Sequence, residues 1–147
     1  MILTVFHKTN RYFRNRIRHK RSDSWIILQW FCIVDDILKE AEPAVEKIKN
    51  FEGKIRLVGQ YDADGISATA IAHEMLDRLG KDFEYEIVKQ LYEEGVKRIA
   101  EEDEELILFV DIGSGQSKFV QEHIVEDAGK EVIVSDHHEP QLTAEES

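Results

Sequence analysis

Three short apolar runs each end in a cluster of acids or histidines, and this repetition limits the possible folds more than any other feature of the chain. Ile55 to Val58 leads into Gln60-Tyr61-Asp62-Ala63-Asp64-Gly65. Leu106 to Val110 leads into Asp111-Ile112-Gly113-Ser114-Gly115, and Val132 to Val134 into Ser135-Asp136-His137-His138. Short apolar runs bounded by turn residues read as buried strands. If those strands are parallel, their ends share one rim. Carboxylates and imidazoles gathered there are suited to holding divalent cations against a phosphate, which points to phosphoester chemistry.

The stretches between the runs carry helical periodicity. Asp35 to Asn50 places Ile37, Leu38, Ala41, Val45 and Ile48 near helical spacing, with Pro43 either inside the helix or delaying its start to about residue 42. Gly65 to Leu79 repeats Ile71, Met75, Leu76 and Leu79 on one side, and Gly80 is the expected C-terminal cap. Phe83 to Val88 alternates Phe83, Tyr85 and Ile87 with acids, as a strand does; Glu93 to Glu102 and Ser117 to Asp127 read as helices. Alternating strands and helices predict an α/β fold: an open, Rossmann-like parallel sheet of about four strands with helices on both faces. Taking the strands at 54–61, 83–88, 106–110 and 131–135 as first to fourth, an order of 2-1-3-4 puts the topological switch between the first and third. All three clusters then fall on the rim where open sheets bind ligands.

Charge divides the chain. Residues 1–34 carry seven Lys/Arg against Asp23 alone, a net of +6, leaving −17 for the other 113 residues to reach the chain's −11. We therefore expect a basic and apolar extension over 1–34, with little fixed structure, and a partial domain over 35–147. The run Trp25 to Val34 is apolar apart from Gln29. As a helix it would span only ~15 Å, about half a bilayer, so no membrane segment is expected. Asp35-Asp36 follows directly and no A-x-A site appears, which argues against a signal peptide. That leaves docking on the domain or on a partner, contact of the basic half with nucleic acid, or a solvated tail. A single cysteine, Cys32, allows no internal disulfide and makes a reducing cytoplasm the expected location.

Each cluster residue has a chemical and a structural reading. Asp62 and Asp64 stand two apart, so each can face a different cation. Asp111 has two oxygens with which to bridge a pair, and His137 adds a nitrogen, which suits manganese better than calcium. His138 is free to contact a phosphate or give a proton. Gly65 permits close packing at a helix start whose amides favour anions. Yet Asp and Gly at strand ends are also ordinary turn residues, and Gly113-Ser114-Gly115 alone is a weak phosphate-loop signal. His73 and His123 read as surface or core-edge histidines within helices.

Taken together, the motifs resemble those of the DHH phosphoesterase family, whose third motif stands here as Asp136-His137-His138. VGQYDADGISATA resembles the first motif of RecJ-type single-strand-specific exonucleases, and FVDIGSG with VIVSDHH looks most like the archaeal RecJ-like proteins. The resemblance covers roughly residues 54–140. It implies that Asp62, Asp64, Asp111 and His137 are metal ligands for Mn2+ or Mg2+, two ions in the family and one expected here. It also implies that His138, with Asp136, carries the catalytic contact to the phosphate. Gln60 stands where the family usually has His or Asp, and an uncharged amide holds a cation more weakly. The family's fourth motif, a further Asp, and its second lobe have no counterpart in these 147 residues. The resemblance therefore implies the N-terminal part of such an enzyme, weak or inactive alone.

Three functions follow as expectations. The first is metal-dependent hydrolysis of phosphodiester bonds in single-stranded DNA or RNA. The second is a non-catalytic module of the same fold that binds replication or repair proteins. The third is a phosphoesterase for small molecules or short oligonucleotides. The acidity of residues 35–147 leaves few cations to grip a nucleic acid except where metal ions neutralise the rim.

Overall fold

The computed structural model describes residues 2–6, as backbone, together with 38–39 and 41–138. The expected basic segment, the Trp25 to Val34 run and the tail after Pro140 lie outside the described residues, except for 2–6. Strand β1 is Ile2–Phe6, and helix α1 covers 38–39 and 41–50, helical on both sides of Pro43. β2 (Ile55–Gln60), α2 (Ala63–Arg78), β3 (Phe83–Val88), α3 (Glu93–Glu101) and β4 (Leu106–Val110) follow. A short 3-10 turn at Ser114–Gln116 opens helix α4, made of Ser117–Phe119 and Val120–Asp127, and β5 is Glu131–Asp136.

All strands are parallel in the order β1-β5-β4-β2-β3. The four expected strands lie in the expected order, with the switch between β2 and β4. The fifth strand is an addition: Ile2–Phe6 pairs with β5 in the register Ile2↔Val132 to Phe6↔Asp136. A five-residue segment with no flanking turn signal gives little sign of strand pairing; the open edge of β5 supplies the template.

β4 shows why the layers form. All five of its residues are buried, and side chains alternate between faces. Leu106, Leu108 and Val110 join Ala44 and Ile48 of α1 and Ala72 and Leu76 of α2 in one core. Ile107 and Phe109 join Val96 and Ile99 of α3 and Val120 and Ile124 of α4 in the other. The helices are thus divided two and two across the sheet.

The ends of α2 are set by local chemistry. At its start Asp62 accepts a hydrogen bond from the Gly65 amide at 2.9 Å. At its end Gly80, with φ +64°, donates to the Asp77 carbonyl at 2.9 Å, and Lys81 N–H reaches Leu76 at 3.0 Å. Lys81 then extends its ammonium to the carbonyls of Lys49 (2.8 Å) and Phe51 (2.6 Å), tying down the C-terminus of α1.

α4 departs from expectation. Only Ser117–Phe119 is α-helical, and Val120–Asp127 is wound as a π-helix. The wider winding still keeps Val120 and Ile124 in the core, and periodicity over so few residues does not separate the two windings.

Truncation of Leu76, which is fully buried, should lower the unfolding free energy by about 2–5 kcal/mol in Leu76→Ala. Ile71→Ala, on the exposed side of the same helix, should change it by less than about 0.5 kcal/mol. Urea titration of both variants checks the assignment of α2's faces; equal losses would contradict it.

Candidate metal centre

Because β2, β4 and β5 are parallel and adjacent, the residues that follow them meet at one rim. Gln60 ends β2 and Asp62 and Asp64 follow it, Asp111 follows β4, and Asp136 ends β5 with His137 and His138 after it. Two sets of possible ligand atoms result: Asp62, Asp64 and Asp111 in one, and Asp111, His137 and His138 in the other. Within each set the atoms lie within 4.8 Å of one another. Asp111 belongs to both.

Asp111 is held in a conformation its sequence context does not announce. Its φ of +58° is left-handed, uncommon for a residue other than glycine, though Asp tolerates it better than most. Its amide donates to the Ser135 carbonyl at 2.8 Å, fastening the end of β4 to β5. The side chain is buried, and among the described residues Oδ2 has no hydrogen-bond partner. Burial, and next the negative charge of Asp64, raise its pKa above the ordinary 3.8; His137 and His138 act in the opposite sense.

The imidazole of His137 bridges the two acid groups. Its Nε2 lies 3.1 Å from Asp111 Oδ1 and 3.7 Å from Asp64 Oδ2. Asp64 itself is exposed, and its pKa is lowered, first by its own backbone amide and then by its hydrogen bond with the Asp62 carboxyl. The Gln60 amide, oriented by the acceptors around it, donates to the Asp111 carbonyl (3.0 Å) and to Asp62 Oδ2 (3.2 Å). In this orientation its nitrogen helps to position Asp62.

Behind the histidines lies a second arrangement. Asp136 is only 5 % exposed, and its Oδ1 lies 2.6 Å from His138 Nδ1. The same oxygen accepts the His138 amide at 3.0 Å. Its Oδ2 accepts the Ser114 amide at 3.0 Å and the Ser114 hydroxyl at 2.6 Å. Burial would raise the pKa of Asp136, but these hydrogen bonds outweigh it and the net shift is downward. The bond to Asp136 raises the pKa of His138, against a smaller effect of burial. The expectation for Asp136 was a catalytic contact; its burial and full set of donors place it behind His138, where it orients the ring. His138 Nδ1 is occupied, which leaves Nε2 open to the rim.

Ser114 is the functional residue that sequence reasoning passed over. Its donors serve Asp136 rather than a phosphate. The available signal was Gly113: its φ is +112°, and a Cβ there would sit 3.3 Å from Phe109 and 3.4 Å from Val134. Gly65 is equally constrained, since a Cβ would strike the Gln60 carbonyl and come within 2.9 Å of Asp62 Oδ1. His73 packs edge-on to Phe83 and Tyr85 away from the site, and His123 stacks on Phe119, both at the core edge as expected.

The donor set fits a divalent cation. Three carboxylates share one small volume with imidazole nitrogen beside them, and the buried Asp111 Oδ2 lacks a hydrogen-bond partner among the described residues. An acceptor so desolvated is costly unless a cation or proton satisfies it. Carboxylate oxygens suit hard divalent cations, and the imidazole nitrogen adds a softer ligand.

Comparison with known proteins bears on the same residues. The model of the DHH family, N-terminal domain, matches residues 54–147. The single-stranded-DNA-specific exonuclease RecJ of Thermus thermophilus is 36 % identical over 110 residues, covering 72 % of this chain and 16 % of that protein. An uncharacterised protein of Methanocaldococcus jannaschii is 35 % identical over 108 residues, covering 71 % of this chain and 24 % of its own length. Thermus thermophilus RecJ in complex with Mn2+ superposes with a TM-score of 0.58 at 37 % identity, covering 72 % of this chain and 15 % of that one. A second crystal structure, of exonuclease RecJ bound to manganese, gives 0.59 at 35 % identity, covering 72 % and 28 %. The chain spans less than a quarter of the length of these two curated relatives.

The Asp136–His138 pair gives stability a pH signature. Asp136 is lowered from 3.8, so its contribution is present above that value and is lost as pH falls through the folded-state pKa. His138 is raised from 6.5, so its contribution is complete below that value and is lost as pH rises through the folded-state pKa. The pair should therefore stabilise most between about pH 4 and 6.5. Asp136→Asn should flatten that maximum and cost about 1–3 kcal/mol within it, read from thermal melts across pH. An unchanged profile would mean the pair is not formed.

Proposed function

This chain belongs to the DHH family, and we propose that its strand-end cluster is a divalent-cation site for phosphodiester hydrolysis, forming the N-terminal motif set of a RecJ-like single-strand nuclease. The observation that carries the reading is Asp111, common to both ligand sets and holding a buried oxygen without a hydrogen-bond partner among the described residues. Asp62, Asp64, Asp111 and His137 would hold the ions. Manganese is the first candidate, because two similar structures contain it. When bound, such cations supply activation of water and neutralisation of charge on the phosphate.

The remaining steps fall to the chain's own groups. Gln60 and the Gly65 amide orient Asp62 by donating to its two oxygens. Asp136, fixed by Ser114, holds the His138 ring so that Nε2 faces the rim. His138, its pKa raised first by the bond to Asp136, would bind a phosphate oxygen or protonate the leaving group. DNA repair and a cytoplasmic setting are part of this proposal. Among the described residues no helix is long and apolar enough to cross a membrane.

A second reading, a non-catalytic module that binds replication or repair proteins, has one observation in its favour. Between α1 and α2 lies an open groove of about 620 Å³, lined by Val45, Ala70, Ile71, Met75 and Leu79 among others. Ile71 there is 72 % exposed.

Titration calorimetry with Mn2+ and cleavage of end-labelled single strands test the first reading together. We expect binding by the wild-type chain, with weak turnover. Asp111→Ala should weaken Mn2+ binding by about 100-fold or more, beyond the 10–100-fold typical of residues one step removed from a metal. Asp111→Ala binding Mn2+ as tightly as the wild type would sink the assignment. Firm binding without any turnover favours the module.

A further inference from the structure

Beside the cluster, the rim carries two aromatic rings for which metal-dependent hydrolysis has no use. Tyr61 is 66 % exposed and Tyr92 is 60 % exposed. Tyr61 is the first residue past β2, between Gln60 and Asp62, and its amide donates to the Val88 carbonyl at 2.9 Å. That bond seats it against the last residue of β3. Tyr92 caps the start of α3, four residues beyond the end of β3, and its hydroxyl donates to Gln90 Oε1 at 2.6 Å. Because β2 and β3 are parallel, both tyrosines lie at the same rim as Asp62, on its β3 flank. Tyr85, a third exposed tyrosine, sits within β3 against His73 and is not part of this rim.

Electrostatics makes the rings more significant. Residues 35–147 carry −17, so a phosphate backbone finds few cations on this body. Near the two rings, Lys89 and Gln90 are exposed, Glu94 is exposed, and Glu93 is engaged by Lys97 at 2.7 Å. Lys89 and Lys97 only balance Glu93 and Glu94, so this flank offers a phosphate no net positive charge. A π face attracts a nucleobase whatever the net charge, and only unpaired bases present both faces to it.

We propose that Tyr61 and Tyr92 form a stacking platform for unpaired nucleobases, holding a single strand across the β3 flank while its phosphate reaches Asp62, Asp111 and His137. The proposal rests on the phosphodiester reading of the cluster and extends it: attraction to the strand comes from bases, and a duplex, whose bases are already stacked, is a poor ligand.

The test uses the full chain with Mn2+ and compares a labelled oligothymidylate with an abasic strand of the same length and charge by fluorescence anisotropy. The wild type should prefer the strand with bases. Tyr61→Ala and Tyr92→Ala should each reduce that preference roughly 5- to 150-fold, the range expected for losing one stacked base. Phenylalanine at either position should restore it and leucine should not, which separates stacking from mere apolar bulk. Equal affinity of the wild type for the two strands overturns the platform, as does an unchanged preference in both alanine variants. Calorimetry on the same samples keeps the two claims apart: Mn2+ binding without base preference sinks only the platform. No Mn2+ binding by the wild type sinks the cluster reading and the platform with it.

Discussion

Asp111 sits at the end of a strand with no residue open to water, its carboxylate buried beside Asp64 and Asp62, and the site depends on how that crowding is relieved. Several negative groups within a few ångströms in a partly dehydrated pocket repel one another strongly. A proton on Asp111 is one relief, and its raised pKa is the sign of it. The imidazole of His137 is another, bridging Asp111 and Asp64. A divalent cation supplies more than either, because it satisfies the stranded oxygen and the surrounding carboxylates together. The fold therefore keeps at this point an electrostatic debt that a metal ion is suited to cancel.

Such a debt survives only if the surrounding structure holds the groups in place. The left-handed turn at Asp111 is supported by a backbone bond to β5, and the strands beneath it are packed on both faces. Glycine at 65 lets the start of α2 close over Gln60, so that Asp62 is held from both sides. Asp136 is a carboxylate of a different kind: equally buried, but supplied with donors by Ser114 and His138, it stays ionised and takes no part in the crowding. Two acids at neighbouring strand ends thus acquire opposite protonation tendencies from their surroundings, one suited to a cation and one to orienting a histidine.

The acidic body and the exposed tyrosines fit one picture of the rim. A surface with this charge gains little from a phosphate chain by simple attraction, so under the proposed function recognition would come from metal ions at one point and from uncharged contacts beside it. The groove between α1 and α2 lies on a helix-covered face of the sheet, while the cluster lies at the strand ends. The groove and the rim are therefore different surfaces of the same small domain.

Much of this was legible in the residues alone. Periodicity located the four main strands and the helices between them, because apolar alternation and turn residues are local signals. The three clusters could be assigned to one rim because parallel strands with right-handed crossovers leave no other arrangement. What no local signal carried was relational. The edge pairing of Ile2–Phe6 needs the free side of β5 to exist first, and the wide winding of Val120–Asp127 is too small a change in period to show over eight residues. The positive φ of Asp111, the inward turn of the Gln60 amide and the service of Ser114 to Asp136 each depend on a neighbour from another strand. Sequence by itself determined which chemical groups reach the rim. Only the tertiary structure decided which of them are stranded, which are satisfied and which merely point the others, because protonation and orientation answer to burial and to partners that lie far apart along the chain.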